Sequence, residues 1–158
     1  MKILGVDPAL TVTGYGVIEF KKGRIGLVEA GVIKTTVKQD LAGRLERIYR
    51  ATEKLISDTH PDVMVLEKIY SHYRHPATAF HLGQARGVIY LAGALAEIPV
   101  VEYGATRIKK AIVGRGLASK QQVQKMVAHS IGLEKLPAYT DVTDALALAI
   151  AHGYITRV

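Results

Sequence analysis

Lys2-Ile3-Leu4-Gly5-Val6-Asp7-Pro8 is the stretch from which the rest of the chain can be read. An apolar, strand-forming run ends on one carboxylate, and proline follows at once. That pattern places Asp7 at the rim of a sheet, with buried strand on one side and open space on the other. Asp before Pro is also a common way to end a strand in a turn. Taken alone, Asp7 is a turn former before it is a ligand. Three further acids change that balance: Glu67, Asp141 and Asp144.

Outward from this strand, residues 14–20 read as a second strand, β-branched and aromatic in part. Lys21-Lys22-Gly23 is a hairpin turn, and Arg24–Lys34 a third strand with bends or bulges expected at Gly26 and Gly31. Connections this short allow only antiparallel pairing, so these three strands form a meander. The period then changes. Leu41, Leu45, Ile48, Leu55 and Ile56 recur at helical spacing across Leu41–Thr59, and His60-Pro61-Asp62 closes that helix. Val63-Met64-Val65-Leu66 is a continuous apolar run, predicted to be a central strand covered on both faces. It too delivers a carboxylate at its end, Glu67.

Residues 77–96 form a long predicted helix in which Gly83, Ala85, Gly87, Ala92, Gly93 and Ala94 allow another helix to approach closely. Residues 98–102 are a short fifth strand. Helices follow over Ala105–Val113, from an N-cap at Ser119 with Gln122 completing a capping box to about residue 131, and over residues 141–155. The expected architecture is a single α/β domain over residues 1–158. Its five-stranded mixed sheet combines the antiparallel meander with parallel strands one, four and five, and helices cover both faces.

Composition narrows the function classes. At 158 residues and 49% hydrophobic content, the chain has material for a sizeable core. No apolar run approaches the ~18 residues of a membrane span, and Met1-Lys2-Ile3 already begins a strand. The absence of cysteine excludes disulfides and thiolate metal sites. The expectation is a cytoplasmic protein with no membrane partner. A net charge of +7 points to an anionic partner. Its distribution says more: Arg107, Lys109, Lys110, Arg115, Lys120 and Lys125 occur in one tract without an acid.

Asp141 and Asp144 stand three apart at a helix start, so both point to one side. Capping and the helix dipole are the ordinary explanation for either acid alone. Glu67 has an ordinary explanation as well, an ion pair with Lys68 or Arg74. The set is less ordinary: two acids ending apolar strands and two on one helix face. Close carboxylates raise one another's pKa unless a cation neutralises them. Mg²⁺ takes hard oxygen ligands and suits phosphate substrates. Two such ions about 4 Å apart can activate water and stabilise the leaving oxygen of an in-line displacement. Beside a basic tract, that chemistry cuts nucleic-acid phosphodiesters. An alternative reads Gly5-Val6-Asp7-Pro8 and Thr13-Gly14-Tyr15-Gly16 as a phosphate-binding hairpin of the sugar-kinase and actin-like type. Such proteins need two domains of this kind, for which 158 residues are too few.

The chain resembles RuvC-type Holliday-junction resolvases over nearly its whole length. The matching stretches are Gly5-Val6-Asp7-Pro8, Thr13-Gly14-Tyr15-Gly16-Val17, Glu67, Leu82-Gly83-Gln84-Ala85-Arg86-Gly87-Val88, Glu102-Tyr103, Val113-Gly114-Arg115-Gly116, Lys120-Gln121-Gln122-Val123 and the segment 141–149. The resemblance implies a ribonuclease H-like fold and a homodimer. It implies paired nicks in opposed strands of a four-way DNA junction, with two Mg²⁺ per site and Mn²⁺ able to substitute. It implies a branch-migration motor complex as a partner. The family's four catalytic, metal-holding acids fall on Asp7, Glu67, Asp141 and Asp144. Its junction-probing aromatic falls on Tyr70, and its basic DNA-binding positions on Lys109 and Lys120. Arg74, in the same loop as Tyr70, is a further DNA-binding candidate. The pattern departs at Ala9, where glycine is usual, and at Tyr73-Arg74-His75-Pro76. Two other readings compete: a non-catalytic junction binder, and a related nuclease acting on RNA.

Overall fold

The computed structural model describes residues 1–69 and 76–156. Among them the elements run β1 (Lys2–Asp7), β2 (Val12–Lys21), β3 (Arg24–Lys34), α1 (Leu41–Thr59), β4 (Val63–Glu67), α2 (Pro76–Leu95), β5 (Val100–Tyr103), α3 (Ala105–Val113), α4 (Lys120–Ser130) and α5 (Thr140–Thr156). The sheet order is β3-β2-β1-β4-β5. The meander pairs antiparallel, and β1, β4 and β5 are parallel. Thus β1 is the central strand, and its run Ile3 to Val6 is buried.

Strand alternation divides the core in two. Ile3, Val63 and Val65 face α3, α4 and α5, whereas Leu4, Val6, Met64 and Leu66 face α1 and α2. Because side chains alternate along a strand, Gly5 and Asp7 fall on the α5 face with Ile3. Glu67 falls there with Val65. Val6 and Leu66 are register partners, so Asp7 and Glu67 leave the sheet side by side.

Helix α5 is apolar nearly all round, and Val142, Thr143 and Ala145 through Gly153 are buried. Such a helix belongs in an interior. It lies between the sheet and the pair α3 and α4. Its approach to the sheet is set by residues without side chains. A Cβ on Gly5 would stand 2.0 Å from the carbonyl oxygen of Ala145, and one on Gly14 would stand 2.1 Å from that of Asp141. A Cβ on Gly16 would meet Leu146 at 2.5 Å. Gly5 pairs with Gly16, and Asp7 with Gly14, so the three glycines form a bare patch beneath the first half of α5. At the other side of the sheet, Tyr103 Oη and His152 Nδ1 lie 2.9 Å apart and join β5 to α5. Burial holds the His152 imidazole below the ordinary histidine range.

The predicted elements are all present, with ends displaced by a few residues. One local expectation is corrected. The irregularity in the β2–β3 ladder falls opposite Val17 and Ile18, between Leu27 and Glu29, and not at Gly26 or Gly31. Gly31 serves another purpose, since a Cβ there would lie 2.8 Å from the Tyr15 hydroxyl. The small residues of α2 contact α1 only in part; Gly83 and Gly87 have open space above them. Among the described residues, no helix is long and apolar enough to cross a membrane.

The atoms facing Gly5 belong to backbone and cannot swing aside, so Gly5→Ala should push α5 off β1. The expected loss is about 3 kcal/mol, a fall in Tm of roughly 6–12 °C. Gly26→Ala, whose Cβ would have 3.9 Å of clearance, should shift Tm by less than about 2 °C. Equal melting of the two variants would contradict the close-approach argument.

Candidate active site

Three elements deliver four carboxylates to the rim where β1 and β4 end. Asp7 closes β1, Glu67 closes β4, and Asp141 and Asp144 occupy the start of α5. The bare glycine patch explains the meeting. Gly14 is the ladder partner of Asp7, and its missing Cβ would lie 2.8 Å from the Asp141 Cβ. Asp141 therefore stands directly above the β1–β2 ladder. Asp144 lines a cavity of about 270 Å³ together with Glu67, Lys109 and Lys120. Asp7 and Glu67 line a second cavity of about 250 Å³ toward α2.

The electrostatics follow from that proximity. The Asp7 carboxyl is pushed up to about 7, first by burial and then by repulsion from Asp144, Asp141 and Glu67; Lys120 pulls it partly back. Glu67 is also raised, first by loss of solvent and then by Asp144, while Lys109, Arg86 and Lys120 oppose the rise. Lys120 Nζ donates to Asp144 Oδ2 at 2.7 Å. That hydrogen bond raises the lysine above its ordinary value. The site is thus a patch of negative charge only partly compensated by its own lysines.

All four candidates offer hard oxygen donors. Among the described residues, no three acidic or imidazole side chains converge closely enough to make a ready cage for one ion. Mg²⁺ does not require one. It keeps several waters and is held by one or two carboxylates plus substrate phosphates. The paired carboxylates and the strained ionisation of Asp7 fit that mode of binding.

Two supports were not anticipated. Arg86 is the lone Lys, Arg, Asp or Glu in α2, and that isolation was a signal available in the sequence. It is buried, donates from Nη1 to the Glu67 carbonyl oxygen at 2.8 Å, and pairs through Nη2 with Glu102. It thereby fixes the end of β4. The second support is the turn after Asp7. Thr13 Oγ1 donates to the Ala9 carbonyl at 2.6 Å and accepts from the Ala9 N–H at 3.2 Å. Arg44 donates to Thr35 Oγ1 at 2.8 Å and Thr11 Oγ1 at 3.0 Å. Ala9 fits in place of glycine because it is not among the positive-φ residues, which outside glycine are Lys22, His60 and Glu97 among the described residues. Lys109 and Lys120 line the cavity beside Glu67 and Asp144. Tyr70 and Arg74 lie outside the described residues.

A mixed sheet in the order β3-β2-β1-β4-β5, with helices on both faces and acids at the ends of its central strands, is a ribonuclease H-like α/β fold. The model for "Crossover junction endodeoxyribonuclease RuvC" matches residues 3–152. A protein of that description from Syntrophomonas wolfei is 42% identical over 157 residues, covering 99% of this chain and 91% of the relative. The solved structure of Thermus thermophilus RuvC superposes with a TM-score of 0.92 at 31% identity, covering 99% of this chain and 96% of that one. T. thermophilus RuvC in complex with a Holliday junction substrate gives a TM-score of 0.91 at 28% identity, with the same coverage. The chain belongs to the RuvC family of crossover junction endodeoxyribonucleases.

The folded protein binds the Asp7 proton more tightly than an unfolded chain, whose carboxyl sits near 3.8. Stability of the metal-free protein should therefore fall as pH rises from about 4 through about 7. In EDTA at pH 8, Asp7→Asn should melt higher than wild type by on the order of 2 kcal/mol. The gap should shrink steadily as pH is lowered to 5. Thermal melts at both pH values check this, and a gap independent of pH would show that Asp7 is not the strained group.

Proposed function

We propose that this protein resolves four-way DNA junctions by hydrolysing phosphodiesters at the Asp7, Glu67, Asp141 and Asp144 site. The observation that carries the reading is the convergence of these four acids, from three elements, between Lys109 and Lys120 and the open rim of the sheet. A carboxylate patch that repels itself is poorly suited to hold DNA on its own. It is well suited to hold Mg²⁺, or Mn²⁺ in its place, against a phosphate. Two divalent ions, when bound, would polarise the scissile phosphate and lower the pKa of an attacking water.

The chain's own residues have separable tasks. Asp7, which ends the central strand and is raised by all three of the other acids, would be the carboxylate common to the ions the site holds. Glu67 and Asp144 line one cavity, and Asp141 stands over Gly14 on the β1–β2 side. Lys120, held on Asp144, supplies a positive charge at the edge where a phosphate would enter. Lys109 does the same beside Glu67. Arg86 acts behind the site as a positioning residue.

Paired nicks require two sites. Phe80, Leu91 and Leu95 on α2 are 72%, 50% and 64% exposed, and open space lies above Gly83 and Gly87. This surface supports a homodimer through α2. An isologous dimer would present two equal sites to a junction with two-fold symmetry. A branch-migration motor is the expected companion on the same DNA.

A nicking assay on a synthetic four-way junction tests the reading. With Mg²⁺, wild type should cut two opposed strands, and EDTA should stop it. Asp7→Asn should lower the nicking rate by about 10³-fold while junction affinity stays within about threefold. Nicking that survives in Asp7→Asn, or without divalent ions, would overturn the assignment.

A further inference from the structure

Lys109 and Lys120 flank the carboxylate site on the β4 and β5 side. A second cationic cluster lies on its other flank. Lys34 ends β3, the edge strand, and pairs with Val12, while Asp7 pairs with Gly14. Two strand spacings across and two residues along place the Lys34 Cα about 12 Å from that of Asp7. Val32 packs in the α5 core and Ile33 in the opposite one, so Lys34 lies on the α5 face, the face that carries the acids. Its ammonium donates to the Tyr139 hydroxyl and sits 4.4 Å from the centre of that ring. Tyr139 directly precedes the helix that carries Asp141 and Asp144.

Arg47 reaches the same place from α1. Its Nε donates to the Lys34 carbonyl at 2.5 Å, and its two terminal nitrogens have no hydrogen-bond partner among the described residues. Neither Lys34 nor Arg47 is in an ion pair among the described residues. The nearby acids are used elsewhere: Asp40 caps α1, and Glu46 pairs with Arg50. Lys34, Thr35, Thr36, Gln39 and Arg47 line a hollow of about 410 Å³ that contains no acid.

Two cations that line one hollow without an acid make its potential positive and favour an anion there. Both are held by the backbone or a ring, so little side-chain freedom is left to lose on binding. We infer that Lys34 and Arg47 form a second phosphate-contacting surface, which takes the backbone of the DNA strand leaving the carboxylate site on the flank opposite Lys109 and Lys120. A separation of about 12 Å is a few nucleotides of one strand, so this surface meets the strand close to the scissile phosphate. The inference rests on the nuclease reading. It adds that the strand is gripped on both sides of the cut, which would fix the phosphate against the acids.

The test is the binding of a fluorescent four-way junction by the full chain in Ca²⁺, across a salt series. Lys34→Gln/Arg47→Gln keeps much of each side chain's stem and removes two charges. It should weaken binding by roughly 10- to 100-fold near 0.1 M salt, and lower the log–log salt slope by about 2. Lys22→Gln/Arg24→Gln removes the same charge at the β2–β3 hairpin, at the other end of the sheet, and should change affinity by less than about threefold. If the first double variant does not melt cooperatively, each single change should lower the slope by about 1. A wild-type protein that cuts the junction, with both double variants binding alike, would overturn this inference alone. A wild-type protein that neither binds nor cuts the junction would remove the nuclease reading and this inference with it.

Discussion

The contact on which the structure depends is the one between the backbone of α5 and the side-chain-free patch of β1 and β2. Ordinary helix-on-sheet packing keeps a layer of side chains between the two. Here Gly5 and Gly14 leave no room for a Cβ against the carbonyls of Ala145 and Asp141. That approach has two consequences. It buries α5 between the sheet and α3 and α4, which makes it the centre of one core. It also lowers the first turn of α5 onto the end of β1, so acids distant in the chain come together. With a conventional side-chain layer, Asp141 would stand several ångströms farther from Asp7.

The second constraint is electrostatic. Burial and three neighbouring acids hold the Asp7 carboxyl up to about 7, so the ionised site stores unfavourable energy whenever it lacks cations. The fold answers with partial compensation. Lys120 pairs with Asp144, while Arg86 ties the end of β4 to Glu102 on β5. Neither arrangement neutralises the cluster. A site that were fully neutralised by its own lysines would have little affinity for divalent ions. One with no lysines would repel a phosphate approaching before the ions were in place. The flanking cations and the uncompensated acids are therefore parts of one design, in which negative charge is concentrated at the centre and positive charge lies to either side.

Much of this was legible in the residues. The apolar runs ending in Asp7 and Glu67 marked two buried strands that expose a carboxylate, because a strand side chain beyond the covered region has nowhere else to point. Helical spacing bounded α1, and the capping residues bounded α4, where Ser119 and Gln122 form the expected box. Other features were not legible. Gly26 and Gly31 were natural places for a bulge, yet the irregularity lies between Leu27 and Glu29, since ladder register depends on both strands and not on one. Gly5-x-Asp7 and Gly14-x-Gly16 were open to reading as a phosphate hairpin. Their role as a helix seat depends on α5, more than a hundred residues away. Arg86 stood out as an isolated charge in α2, but nothing local identified Glu67 and Glu102 as its partners.

Local chemistry settles the elements: alternation, helical spacing, caps and turn residues act over a few positions and need no knowledge of the rest. They also mark which acids stand at element ends. What folding alone decides is which ends meet. The parallel register of β1 with β4 sets Asp7 beside Glu67, and the glycine patch sets Asp141 above Asp7. The wrapping of α1 around the edge strand sets Arg47 against Lys34. Each is a contact between segments far apart in the chain, fixed by steric fit and hydrogen-bond register across the core, and those terms exist only once the chain has closed on itself.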